Sequence, residues 1–367
     1  MRPGSRWHGV VLSVLLVAVF QSPTCSAEPP SERPVLRVVY FIPTDRKPEP
    51  DRVERLDRVM TEVQRFFREG MKQNGHGAMT FELERDRHGK LKIHEVQARE
   101  PMRAYGRNSS DKVRREVKAA LDQRGLNIDR ETIIIFQLLL DWQGGKAEEI
   151  GPYVGGGDAR AGTAWVYDDA KLDPQLLPSK EPGGWYNGPC SLGRFNTHYI
   201  GGVAHELGHA LGLPHERERD GERARRGNSL MGAGNHTYGQ EKRGEGPGTF
   251  LTAAAALPLS VHPLFTGKPR PAEGMRVRLA ELTPNRAKGK LGLVGRLEGE
   301  PKPIGIIAYN DPRDVQGDYD SLSFVSKVDD AGRFQLTLED LRPGHYDLRL
   351  RAVTGSGDTR YFGYHYV

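Results

Sequence analysis

One short stretch carries most of the chemistry that this sequence offers: His205-Glu206-Leu207-Gly208-His209-Ala210-Leu211-Gly212-Leu213-Pro214-His215. Histidines at i and i+4 stand on one face of an α-helix, one turn apart. Two imidazoles so placed can take two corners of a tetrahedral zinc ion. Glu206 points about 100° around the helix from His205, so it need not ligate. It can instead lie beside a water on the metal and take its proton. Gly212 tolerates the left-handed backbone that ends a helix, and Pro214 resists continuing one. The turn then brings His215 back as a third nitrogen ligand. Three protein ligands and a water are the pattern of a catalytic zinc rather than a structural one.

A helix must hold the first two histidines. Asn196 or Thr197 can cap its N-terminus. Ile200, Val203, Ala204, Leu207 and Leu211 give it an apolar face. Upstream, residues 35–42 form a mostly apolar, β-branched run that reads as a buried strand. Residues 52–71 carry apolar side chains at helical spacing, closed by Asn74-Gly75. Residues 79–84 and 90–96 read as two strands joined at His88-Gly89. Residues 111–123 read as a second helix stopped by Gly125, and residues 132–140 as a central strand. A Gly-rich segment, 151–162, leads into Thr163-Ala164-Trp165-Val166-Tyr167, and an exposed strand edge here could pair with an extended peptide. Asp158, Asp168 and Asp169 read as a solvated acidic loop in preference to a calcium site. After the histidines, 217–226 reads as a charged surface loop and 250–265 as a closing helix with its tail.

The pattern His205-Glu206-x-x-His209-x-x-Gly212-x-x-His215 resembles the zinc signature of the metzincin metallopeptidases. Asn228-Ser229-Leu230-Met231-Gly232-Ala233-Gly234 is similar to their Met-turn, whose methionine lies under the zinc ligands. The resemblance implies Zn²⁺ held by His205, His209 and His215, Glu206 as the catalytic base, and Met231 as the Met-turn residue. It implies an α+β catalytic domain of α/β/α type with a mixed twisted sheet, cutting polypeptides internally. In that group the segment 151–167 resembles the loop and edge strand that line the substrate cleft. Glu216 after the third histidine is similar to the astacin pattern, but Ala233 stands where astacins carry a tyrosine, and that role is not carried over to Tyr238. The short span from His215 to Met231 looks more like the reprolysin or matrixin side, and the family stays open. The resemblance is strong over about residues 197–235 and silent on the C-terminal hundred.

The chain has 367 residues, room for two domains. Its net charge is +5, with both signs interspersed. No basic cluster interleaves with aromatics, so nucleic acid is not an expected partner. Arg2 and Arg6 precede an apolar run, Val10 to Phe20, too short for a membrane span. A signal peptide over 1–27 is expected, cleaved after Ala27, and hence export with no membrane span in the mature chain. A lipoprotein acylated at Cys25, or an uncleaved anchor, are the alternatives. Only Cys190 would then remain, without a disulfide partner, and it reads as a buried small side chain. The catalytic domain is expected over 28–265 and a linker over 266–274. From 275 to 367 the texture changes to short alternating runs and frequent turns, about seven strands, which argue a β-sandwich. Asp329-Asp330-x-Gly332-x-Phe334 and Leu341-x-Pro343-Gly344-x-Tyr346 are similar to transthyretin-like or carboxypeptidase-regulatory-like modules. The expected function is a secreted zinc endopeptidase. The alternatives are a catalytically silent metallopeptidase-like protein whose sandwich docks to a surface or partner, and a zinc hydrolase of non-peptide substrates. Substrate preference, latency and oligomeric state stay open.

Overall fold

A computed structural model describes residues 33–269, 274–287, 289–315 and 317–367. The expected signal peptide with Cys25, and part of the expected linker, lie outside them. Strand β1 (Arg37–Ile42) is centred on a run that is buried from Val38 onward. It pairs in parallel with β2 (Ile93–Gln97) and β3 (Thr132–Gln137). Strand β3 is buried along its whole length. Such continuous apolar strands suit a parallel sheet covered on both faces. Between them, α1 (Arg52–Gln73) buries Leu56, Val59, Met60, Val63, Phe67 and Met71, one stripe at helical spacing. Helix α2 (Ser110–Asp122) buries Val113, Val117 and Leu121.

The sheet is completed by β4 (Val154–Gly157) and β5 (Gly162–Tyr167), in the order β2-β1-β3-β5-β4. Strand β4 alone runs antiparallel to its neighbour. The segment Thr163–Tyr167 is therefore interior and fully buried, and the glycine run before it is the edge. Against β4 and β5 lies α3 (Leu192–Ala210), the helix of the first two histidines.

Further local expectations change. Residues 79–84 make only an isolated bridge, Leu36 to Leu83, not a strand. One of their carbonyls serves α1 instead, with Gln64 Nε2 donating to Phe81 O at 2.6 Å, while Phe81 itself packs on Phe67 and Phe265. Helix α3 starts earlier than Asn196: Ser191 caps it by accepting from Arg194 N at 3.1 Å. Asn196 lies inside it and braces the preceding loop, donating to Lys171 O and accepting from Asp173 N. Asp168 is not solvated. It is fully buried, ion-paired to Arg55 at 2.6 Å and accepting from Tyr40 Oη at 2.6 Å. Cys190 is half-buried at the rim of the core.

After α3 come α4 (Asp220–Arg226), then two short helices in place of one: α5 (Ala253–Leu259), capped by Thr252, and α6 (Pro263–Thr266), capped by His262. The C-terminal part is built of β6 (Arg276–Ala287), β7 (Lys290–Glu300), β8 (Pro303–Pro312), β9 (Leu322–Lys327), β10 (Arg333–Leu338), β11 (Tyr346–Thr354) and β12 (Thr359–Tyr366). They form two antiparallel sheets, β6-β7-β10 and β9-β8-β11-β12. The alternating residues Phe334, Leu336, Leu338, Leu348 and Leu350 point into one cluster shared by both sheets. This is a mixed α/β part followed by a sheet-rich part. They meet where Ala254 and Leu257 of α5 pack on Ile307, Tyr309 and Val353. Gly305 makes that approach possible, since a Cβ there would sit 2.7 Å from Leu257 Cδ2.

Candidate metal centre

His205 and His209 project from the last turns of α3. The helix then ends at a left-handed Gly212, with φ +82°, and Leu213 N closes back on Gly208 O at 3.0 Å. This turn returns the chain so that His215 faces the other two. His209 Nε2 lies 3.1 Å from His205 Nε2 and 2.9 Å from His215 Nε2. One nitrogen from each of the three rings lies within 4.8 Å of the other two, close enough to share a metal ion.

The outward-facing nitrogens decide the tautomers. His205 Nδ1 donates to Leu230 O at 2.7 Å, and His209 Nδ1 to Leu213 O at 2.8 Å. His215 Nδ1 donates to Asp318 Oδ1 at 2.8 Å. Carbonyls and carboxylates only accept, so each Nδ1 carries a hydrogen and each Nε2 is the nitrogen that faces inward. Burial, with the neighbouring imidazoles, pulls His205 down to about 3 and His209 to about 4. Both rings are thus neutral near pH 7, the form that binds metal. Three imidazoles with converging Nε2 atoms and hydrogen-bonded backs fit a divalent ion of the zinc type.

Glu206 lies beside this cluster on the wall of an open cleft, whose lining also includes Arg217, Ala233, His236, Tyr319 and Asp320. Its carboxyl is almost buried, and that burial pushes its pKa up to about 8 in the metal-free protein. A cation next to it acts in the opposite direction. Helix and edge strand approach closely here. A Cβ at Gly155 would collide with Glu206 O and come within 2.9 Å of His209 Cβ. Gly157 and Gly162 likewise make room for Ala210 O. The glycine-rich composition of this segment is therefore a packing requirement of α3.

Met231 is fully buried. A Cβ at Gly208 would lie 2.5 Å from its Sδ, so the thioether rests directly on the helix turn between the two histidines. Its neighbour Leu230 holds His205, and Met231 O accepts from Glu216 N at 3.3 Å. Tyr238 turns away into the core, against Phe66 and Glu62.

Sequence reasoning missed four residues. Asp318 and Tyr319 come from the loop between β8 and β9. Asp318 holds His215, and the Tyr319 ring stacks on it with centroids 3.7 Å apart. Glu216 is buried, and so is Glu218, which lies in the stretch 217–226 expected to be a charged surface loop. Glu218 accepts from Ser229 N at 2.9 Å and from Arg223, and so pins the turn before Met231. No spacing rule links positions 215 and 318. For Glu216, the similarity to the astacin pattern was the available signal.

No family model matches the sequence, and no curated protein matches it significantly. Solved structures do match. Wild-type OgpA from Akkermansia muciniphila superposes with a TM-score of 0.77 at 22% identity, covering 91% of this chain and 94% of that chain. The two proteins share a fold. A second crystal form of wild-type OgpA gives 0.76 at 23% identity, over 96% and 97% of the two chains. Catalytically inactive OgpA in complex with an O-glycopeptide substrate, glycodrosocin, gives 0.77 at 22% identity, over 95% and 97%. The likeness thus spans both the α/β part and the sheet-rich part. Among the described residues, no helix is long and apolar enough to cross a membrane.

Proposed function

We propose that this protein is a secreted zinc endopeptidase of metzincin type, with residues 28–265 as its catalytic domain and 275–367 as an accessory β-sandwich similar to transthyretin-like modules. The observation that carries the reading is the convergence of three imidazole Nε2 atoms beside a carboxyl group in an open cleft. His205, His209 and His215 would hold Zn²⁺. When bound, the ion supplies Lewis acidity and lowers the pKa of a water to about 7. Glu206 takes the proton from the attacking water and delivers it to the leaving amine. Met231 supports the helix turn that presents the two histidines, and Leu230, Leu213 and Asp318 hold the rings in the ligating tautomer. The free edge of β4, with its exposed Val154, can pair with an extended peptide and lay its scissile bond across the cleft.

The substrate class we assign is an O-glycosylated polypeptide. It rests on the shared fold and on the O-glycopeptide bound by inactive OgpA. The test is hydrolysis of a synthetic O-glycopeptide, its unglycosylated twin and an unfolded protein, with Glu206→Gln run alongside. Cleavage of the glycopeptide should fall by about 10²–10⁴-fold in the variant, the range for loss of a general base. Equal cleavage by parent and variant would remove Glu206 from the mechanism. Equal rates on the glycosylated and plain peptides would remove the substrate class and leave the peptidase.

A further inference from the structure

We infer that the C-terminal sheets complete the metal site, with Asp318 acting as the positioning residue that sets the tautomer and orientation of His215. The inference rests on the reading of the three histidines as a metal site.

The three ligands are not supported alike. His205 and His209 stand on a buried helix, and the carbonyls behind them, Leu230 and Leu213, belong to the same α/β part. His215 follows Gly212 and Pro214 on irregular chain and is partly exposed. Among the described residues, the polar partner of its Nδ1 is Asp318, 103 positions further along. Tyr319 stacks on the ring at an interplanar angle of 27°. The residues that follow His215 are fastened to the same loop. Arg217 N donates to Ser321 O at 2.9 Å, and Arg217 forms a parallel bridge with Leu322 at the start of β9. The buried Glu216 carboxyl accepts from the Thr252 hydroxyl. Asp318 is itself steadied by Arg349 of β11, at 3.4 Å.

The chemistry follows from the donor inventory. A carboxylate can only accept, so facing Asp318 obliges His215 Nδ1 to carry the hydrogen and leaves the Nε2 lone pair free. Without that partner the neutral ring can take the other tautomer or turn about its Cβ–Cγ bond, and the site loses a preformed ligand. Carboxylate–histidine pairs of this kind typically govern metal affinity 10- to 100-fold.

The experiment is Zn²⁺ affinity of the full chain, by competition with a chromophoric chelator, for the parent, His209→Ala, Asp318→Ala and Asp318→Asn. The parent should bind and His209→Ala should not. Asp318→Ala should bind about 10- to 100-fold more weakly, and Asp318→Asn, whose amide oxygen can still accept, should recover part of the loss. The Co²⁺-loaded Asp318→Ala protein should also show an altered visible spectrum, while the thermal midpoint of its metal-free form stays with the parent's. If Asp318→Ala binds Zn²⁺ as tightly as the parent while His209→Ala does not bind, the positioning role is overturned and the metal site stands. If parent and His209→Ala bind equally, the metal-site reading falls, and the inference with it.

Discussion

His205 and His209 stand on a helix that is buried from Phe195 to Gly208, whereas His215 stands on a half-exposed loop that residues of a different sheet hold in place. The charged contacts behind the two regions differ in the same way. Arg55 and Asp168, at 1% and 0% exposure, tie helix α1 to the end of strand β5. Asp318 and Arg349, each 31% exposed, brace the loop. A buried pair is costly to break, because removing one partner strands the other charge. A part-exposed pair is screened and contributes roughly 0–1 kcal/mol. The α/β part therefore fixes two of the proposed ligands by packing, which is tolerant of solvent conditions. The sheet-rich part fixes the third by a few directional contacts, which tune the site without carrying the fold.

The largest effect is expected in the rigid region. Asp168→Ala should destabilise the protein by about 3–5 kcal/mol by leaving Arg55 buried without its carboxylate. Denaturant unfolding measures it. A loss below 1 kcal/mol would mean that the parallel sheet does not rely on this pair. A smaller effect is expected where helix and edge strand touch. Gly155→Ala should cost about 1–3 kcal/mol, as for overpacking, because the new methyl meets the backbone of Glu206 and not a flexible side chain. It should also lower the peptidase rate, since the residue that moves is the one beside the cleft. Unchanged stability and rate would show that β4 yields freely and that the close approach carries no function.

Much of the rigid half is legible in the sequence, for a local reason. The i, i+4 histidines, the glycine that ends their helix and the stripe on α1 all act within a few residues of one another. The seven C-terminal strands are legible from alternation in the same way. What escapes is long-range. The run 79–84 has the composition of a strand but, among the described residues, pairs only through Leu83, so its apolar side chains serve the core from irregular chain. Asp168 reads as a solvated acid because nothing nearby in sequence announces Arg55. Glycines 155, 157 and 162 are visible as glycines, but that they make room for α3 is a property of the packed molecule. Asp318 is the extreme case. It is an aspartate in a turn, and only the docking of β8 and β9 onto the chain after His215 brings it to that histidine.

The most direct test is the zinc content of the purified full chain, by elemental analysis, for the parent, His205→Ala and Glu206→Gln. The account predicts one zinc per chain in the parent, one in Glu206→Gln and none in His205→Ala. Zinc retained by His205→Ala, or lost from Glu206→Gln, would contradict the division of this motif into ligands and base.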